Sequence, residues 1–167
     1  MIIDSLIAAI HDTTLAAYIR GDFPGTEWSF PIIETHHVLC LTVVFGSIAM
    51  VDMRLLGLVF RRVPFTKLYR ELIPWTWGAF AGAVIFGTIL ATGKIQDYVH
   101  SPLFMAKFVL MGLAGVNMIA FHVGAYRNVA SWDKAVVTPA GARVAGALSL
   151  VFWITVIVCG RWVGFVT

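Results

Sequence analysis

PIIETHHVLCLTVVFGSIAMVDMRLLGLVF, residues 31–60, is apolar over a longer stretch than the roughly 20 residues a helix needs to cross hydrocarbon, so a tilt or a projecting end is expected. The same stretch carries Glu34, His36, His37, Asp52 and Arg54. An ionisable side chain at the bilayer centre costs on the order of 3 kcal/mol. Such residues therefore turn toward neighbouring helices and mark a site.

Three further stretches meet the same length requirement, at about 72–92, 102–126 and 143–163. Short connections between them make an up-down four-helix bundle the simplest arrangement. Residues 3–19 differ: Ile3, Leu6, Ile7, Ile10 and Tyr18 recur at helical spacing between Asp4, His11, Asp12 and Thr13, the pattern of an interfacial amphipathic helix. Gly21, Pro24 and Gly25 end it, and Trp28 and Phe30 stand where an aromatic anchor belongs. The fold class is thus all-α, a single integral membrane domain over residues 1–167.

Of 167 residues, 59% are hydrophobic and 13% charged, which excludes an ordinary soluble domain. The net charge of +3 does not point to nucleic acid, because the basic residues sit in short loops rather than on one soluble face. Arg61, Arg62, Lys67, Arg70, Arg127, Lys134 and Arg143 flank one end of the spans, against Arg20, Lys94 and Arg161 at the other. By the positive-inside bias both termini face the exterior, the periplasm for a protein of a bacterial inner membrane. Met1-Ile2-Ile3-Asp4 places an acid where a signal peptide has its basic region, so these residues are expected to remain in the mature chain. Cys40 and Cys159 lie within spans, where a thiol acts as a small hydrophobe.

Two polar groups follow from depth and azimuth. His37 and Lys107 each lie about six residues, roughly 9 Å, from the outer end of their spans, and His100 lies seven residues before Lys107. Glu34, His36, His37, His100 and Lys107 form an outer group. An inner group comprises Asp52, Arg54, Asn117 and His122, with Trp75 and Trp77 beside them, and Asp52 and Arg54 are expected to pair.

Several readings of the outer group stay open. Haem b would take His37 or His36 with His100 as axial ligands and Lys107 and Arg161 as propionate partners, making an electron-transfer protein, an oxidoreductase if linked to a quinone or an external redox partner. A bare copper, iron or zinc ion would use Glu34, His37 and His100, Glu34 and His37 having the Glu-x-x-His spacing. A cofactor-free subunit would dock a partner on its polar seam, and in the blandest case Glu34 and Lys107 merely cancel as a buried pair. His122 fits a hydrogen-bonded structural histidine. Gly78, Gly82, Gly87, Gly112 and Gly115 suit close helix contact and permit self-association into a homo-oligomer. Nucleotide fingerprints, CxxC, HExxH and CxxCH are absent from the sequence, so any haem is held without covalent attachment.

The stretches Phe30–Leu39, Val51–Leu58 and Gly160-Arg161-Trp162, together with Lys107 and the segment from Asn117 to His122, resemble a family of small bacterial four-helix membrane proteins of unknown function. The resemblance implies the fold and no activity. In architecture the chain is also loosely similar to membrane b-type cytochromes and copper-resistance D-type proteins.

Overall fold

The computed structural model describes residues 2–166. The elements are α1 (Ile2–His11), α2 (Thr14–Arg20), α3 (Ser29–Leu55), α4 (Phe65–Gly93), α5 (Ile95–His100), α6 (Pro102–Val123) and α7 (Ala140–Val166), with a 3₁₀ segment at Ala125–Ser131. No strand is present among the described residues. The helices α3, α4, α6 and α7 are each long and apolar enough to cross a membrane. Broad apolar faces remain exposed on them, as lipid rather than water would require.

The N-terminal segment is two helices rather than one. Thr13 is extended (φ −70°, ψ 149°) and its hydroxyl accepts from Ala16 N, capping α2. α2 ends at Gly21, whose φ of +82° closes the turn that leads to Trp28. Ile19 is buried against α4, where Gly93 leaves room for it.

α3 ends at Leu55, five residues before the apolar run does, because Gly57 (φ +71°) and Phe60 (φ +52°) turn the chain into α4. α4 starts at Phe65, earlier than hydropathy alone suggests. Pro64 stands at its N-cap position and offers no side-chain acceptor, so the cap comes from elsewhere: Asp133 accepts from Thr66 N (2.7 Å) and Thr66 Oγ1 (3.0 Å). Pro74, inside α4, removes one rung of the helical ladder.

α3 packs along α4, and α6 along α7, with α3 and α7 joining the two pairs; α4 and α6 scarcely meet. The densest core lies at the end holding the 56–64 and 124–139 connections, where Val51, Leu55, Phe65, Phe121, Trp132, Ala142 and Ala145 close together. Phe65 is fully buried, with Trp132 at 5.2 Å, Tyr69 at 5.7 Å and Phe121 at 5.9 Å between ring centroids. Arg54, also fully buried, donates to the carbonyls of Val63 (3.0 Å), Asp133 (3.4 Å) and Ala135 (3.3 Å) and to Thr138 Oγ1 (3.4 Å). One guanidinium thus satisfies both connections and fixes the end of the bundle.

Candidate functional site

At the other end of the bundle, α3 brings up Glu34, His36 and His37. Glu34 and His36 are exposed and His37 is half-buried. His37 Nδ1 lies 2.9 Å from Ala83 O of α4; a carbonyl only accepts, so Nδ1 carries the proton and Nε2 is left as the acceptor. His36 Nδ1 and His100 Nδ1 bond in the same way to Ile32 O (2.8 Å) and Gln96 O (2.9 Å) on their own helices. The His36 ring also lies tilted against Phe86, with 5.3 Å between centroids.

The outer residues share a neighbourhood without closing into a ligand set. Lys107 and Glu34 lie within electrostatic range of His37. The ion pairs among the described residues are His11–Asp12 and Arg20–Asp22, and Glu34 does not pair with Lys107. The Lys107 ammonium sits instead 4.2 Å from the Phe104 ring centroid. Arg161 is exposed and lies over Phe165 at 4.9 Å. Burial, with the carboxylates of Glu34 and Asp97, pushes the Tyr98 phenol of α5 up. Among the described residues, no three His, Cys, Asp or Glu side chains gather where they could hold a metal ion, so Glu34, His37 and His100 are not a three-ligand group. Their helices explain why: Glu34 and His100 face outward, while His37 lies flat against α4 at Gly87, where a Cβ would come 2.7 Å from its Cε1.

The inner residues divide. Asp52 and Arg54 do not pair, since Arg54 turns to the connections and Asp52 turns into the bundle. There a cavity of about 430 Å³ opens between all four long helices, within the size range of small-molecule sites. Its wall is mostly apolar and aromatic: Val44, Ile48, Trp77, Phe80, Met111 and Trp153 supply much of it. Asp52 is 5% exposed, with Ser149 beside its carboxyl, and its Oδ2 has no hydrogen-bond partner. A buried polar atom without a partner typically costs about 1–3 kcal/mol, which sets Asp52 apart from the other polar groups of the bundle.

Tyr69, His122, Asn117 and Thr76 on the wall are each hydrogen-bonded. His122 Nδ1 donates to Met118 O (2.7 Å), which leaves Nε2 to accept from the Tyr69 hydroxyl (2.8 Å). Asn117 Nδ2 donates to Ala145 O (2.9 Å), tying α6 to α7. Thr76 and Ser47 bond one another at 2.7 Å between α4 and α3. Because α4 and α6 diverge, the cavity opens sideways, and Trp77, Ile119 and Val123 on its rim are each more than half exposed.

Sequence reasoning placed Asp52, Asn117 and His122 in one group and missed Tyr69, Ser149 and Trp153, which complete the wall. It also missed Asp133; the one signal was a helix starting at Pro64-Phe65-Thr66 without a capping side chain of its own. Gly82 and Gly87 make the close contacts expected of them, to Cys40 and His37, whereas Gly78, Gly112 and Gly115 face open space. Gly146, not singled out, is the close contact between α7 and Asp52 O of α3. Cys40 and Cys159 are free thiols.

No curated protein and no solved structure matches the chain. A family model matches residues 9–166, nearly the whole length. The chain, with its four long apolar helices, belongs to a family of unknown function, DUF6644.

Proposed function

We propose that the protein takes up a lipid-dissolved amphiphile through the gap between α4 and α6 and holds its polar head at Asp52. The observation that carries this reading is the unpartnered Oδ2 of a buried acid on the wall of a laterally open apolar cavity. Whether Oδ2 is ionised and needs a donor, or protonated and needs an acceptor, a head bearing a hydroxyl meets it. A quinone in its quinol form is one member of that class, which connects this reading with quinone-linked electron transfer. With the basic connections on the cytoplasmic side of a bacterial inner membrane, the cavity lies in the inner-leaflet half and both termini lie outside.

The test is photolabelling with an alkyl benzophenone carrying a hydroxyl head. Met111 and Met118 line the cavity, whereas Met105 is exposed on α6 away from it. Saturable adducts on Met111 and Met118, but not on Met105, are expected. Gly115 also lines the cavity, and a Cβ there meets nothing within 4 Å, so a larger side chain can start from that position; Gly115→Phe should occupy the space and abolish those adducts. Equal, non-saturable labelling of all three methionines, unchanged by Gly115→Phe, refutes the reading.

A second reading, haem b electron transfer, is favoured by one observation: His36, His37 and His100 each anchor Nδ1 on a carbonyl and leave Nε2 free, the arrangement in which an imidazole ligates iron. His37 or His36 with His100 would hold such a haem, and Lys107 and Arg161 its propionates. A Soret band that shifts on dithionite reduction supports it, and its absence from haem-supplemented protein eliminates it.

A further inference from the structure

The charge on the cavity wall is one-sided. Among the described residues that line it, Asp52 is the only acid and none is lysine or arginine. The nearest arginine in sequence, Arg54, is consumed by four bonds to the two connections and by the field of Asp133. The other titratable groups on the wall, Tyr69 and His122, are bonded to each other, and His122 spends its own proton on Met118 O. Among the described residues, no cation therefore balances Asp52. A lone acid in a low-dielectric site keeps its proton until a cation arrives, whose charge then stabilises the carboxylate far more than it would in water.

The rest of the wall suits the same kind of guest. Tyr69, Trp77, Phe80, Phe121 and Trp153 all line the cavity. Phe80 stands edge-on to both Trp77 (6.1 Å) and Trp153 (6.5 Å), so the rings present faces in several directions. Ring faces carry the negative part of the aromatic quadrupole and favour cations. The open side toward lipid admits a molecule that partitions into the bilayer, as a small hydrated ion does not.

We propose that the cavity selects a lipophilic cation, an apolar body bearing an ammonium or equivalent positive centre, seated with its charge at Asp52 and its body among Trp77, Phe80 and Trp153. This rests on the lateral-uptake reading above and narrows it from amphiphiles in general to positively charged ones. The guest's charge replaces the counter-ion that the protein omits. Its body fills volume that the α4–α6 divergence leaves open.

The test is equilibrium binding of tetraphenylphosphonium to the full chain in a neutral detergent, beside photolabelling by the neutral hydroxyl-headed benzophenone. The phosphonium is permanently charged, so any dependence on pH reports Asp52, Tyr69 or His122 rather than the probe. Asp52→Asn should weaken phosphonium binding by roughly tenfold or more, about 1.4 kcal/mol, while Asp52→Glu retains most of it. Thermal unfolding of Asp52→Asn close to that of wild type in the same detergent shows that the variant is folded. Equal phosphonium affinity in wild type and Asp52→Asn overturns the proposal. If the phosphonium fails to bind while benzophenone still labels Met111, the cation class falls and uptake of neutral amphiphiles stands. If neither probe engages the cavity, the uptake reading itself falls.

Discussion

Asp52 and Arg54 stand two residues apart on α3, both are buried, and they serve opposite purposes: Arg54 is fully bonded to the connections at the end of the bundle, and Asp52 is left with an unfilled oxygen facing the cavity. Successive residues on a helix point about 100° apart, so a spacing of two sends side chains to nearly opposite faces. That geometry separates a structural residue from a binding residue within one turn.

Arg54→Met should therefore be the most destabilising change at this end. It strips donors from the carbonyls of Val63, Asp133 and Ala135, and at about 1–3 kcal/mol for each unsatisfied buried acceptor the loss reaches several kcal/mol. Arg54→Lys should rescue little, because an ammonium cannot span partners arranged around a planar fork. Asp52→Asn should be near neutral by comparison. Thermal unfolding of the three variants in one detergent checks the ranking, and an Asp52→Asn loss as large as that of Arg54→Met would refute it.

Gly87 and Gly112 offer a matched pair. A Cβ at Gly87 would lie 2.7 Å from the His37 ring, whereas at Gly112 it meets nothing. Gly87→Ala should displace the ring from Ala83 O and cost about 1–3 kcal/mol, as overpacking does. Gly112→Ala should stabilise or be neutral, since the alanine restricts the unfolded chain. Chemical-shift change at His37 Nδ1 in Gly87→Ala, but not in Gly112→Ala, is the accompanying signature.

Glu34 and Lys107 should prove energetically independent. They form no ion pair, and Lys107 rests on the Phe104 ring. A double-mutant cycle of Glu34→Gln and Lys107→Met should give a coupling below about 0.5 kcal/mol, the level of sites that do not touch. A coupling of 2 kcal/mol or more, roughly that of residues in contact, would restore the buried pair.

The spans were legible because length and hydropathy are local quantities. Their ends were less so: α3 stops where Gly57 and Phe60 take positive φ, and α4 begins early because Asp133 caps it from 67 residues away. The same distinction runs through the site. Depth along the spans brought Asp52, Asn117 and His122 together, but the wall they line depends on α4 and α6 diverging, which is a packing outcome between helices. The pairing of Asp52 with Arg54 looked natural from opposite charges close in sequence; the two unsatisfied connections outcompeted it.

Infrared difference spectroscopy on adding tetraphenylphosphonium reads the carboxyl of Asp52 directly. Wild type should give a carboxyl difference band that is lost in both Asp52→Asn and Gly115→Phe and retained in Asp133→Asn, whose carboxylate is committed to capping α4. A band that persists unchanged in Asp52→Asn would contradict the assignment of Asp52 as the group that meets the guest.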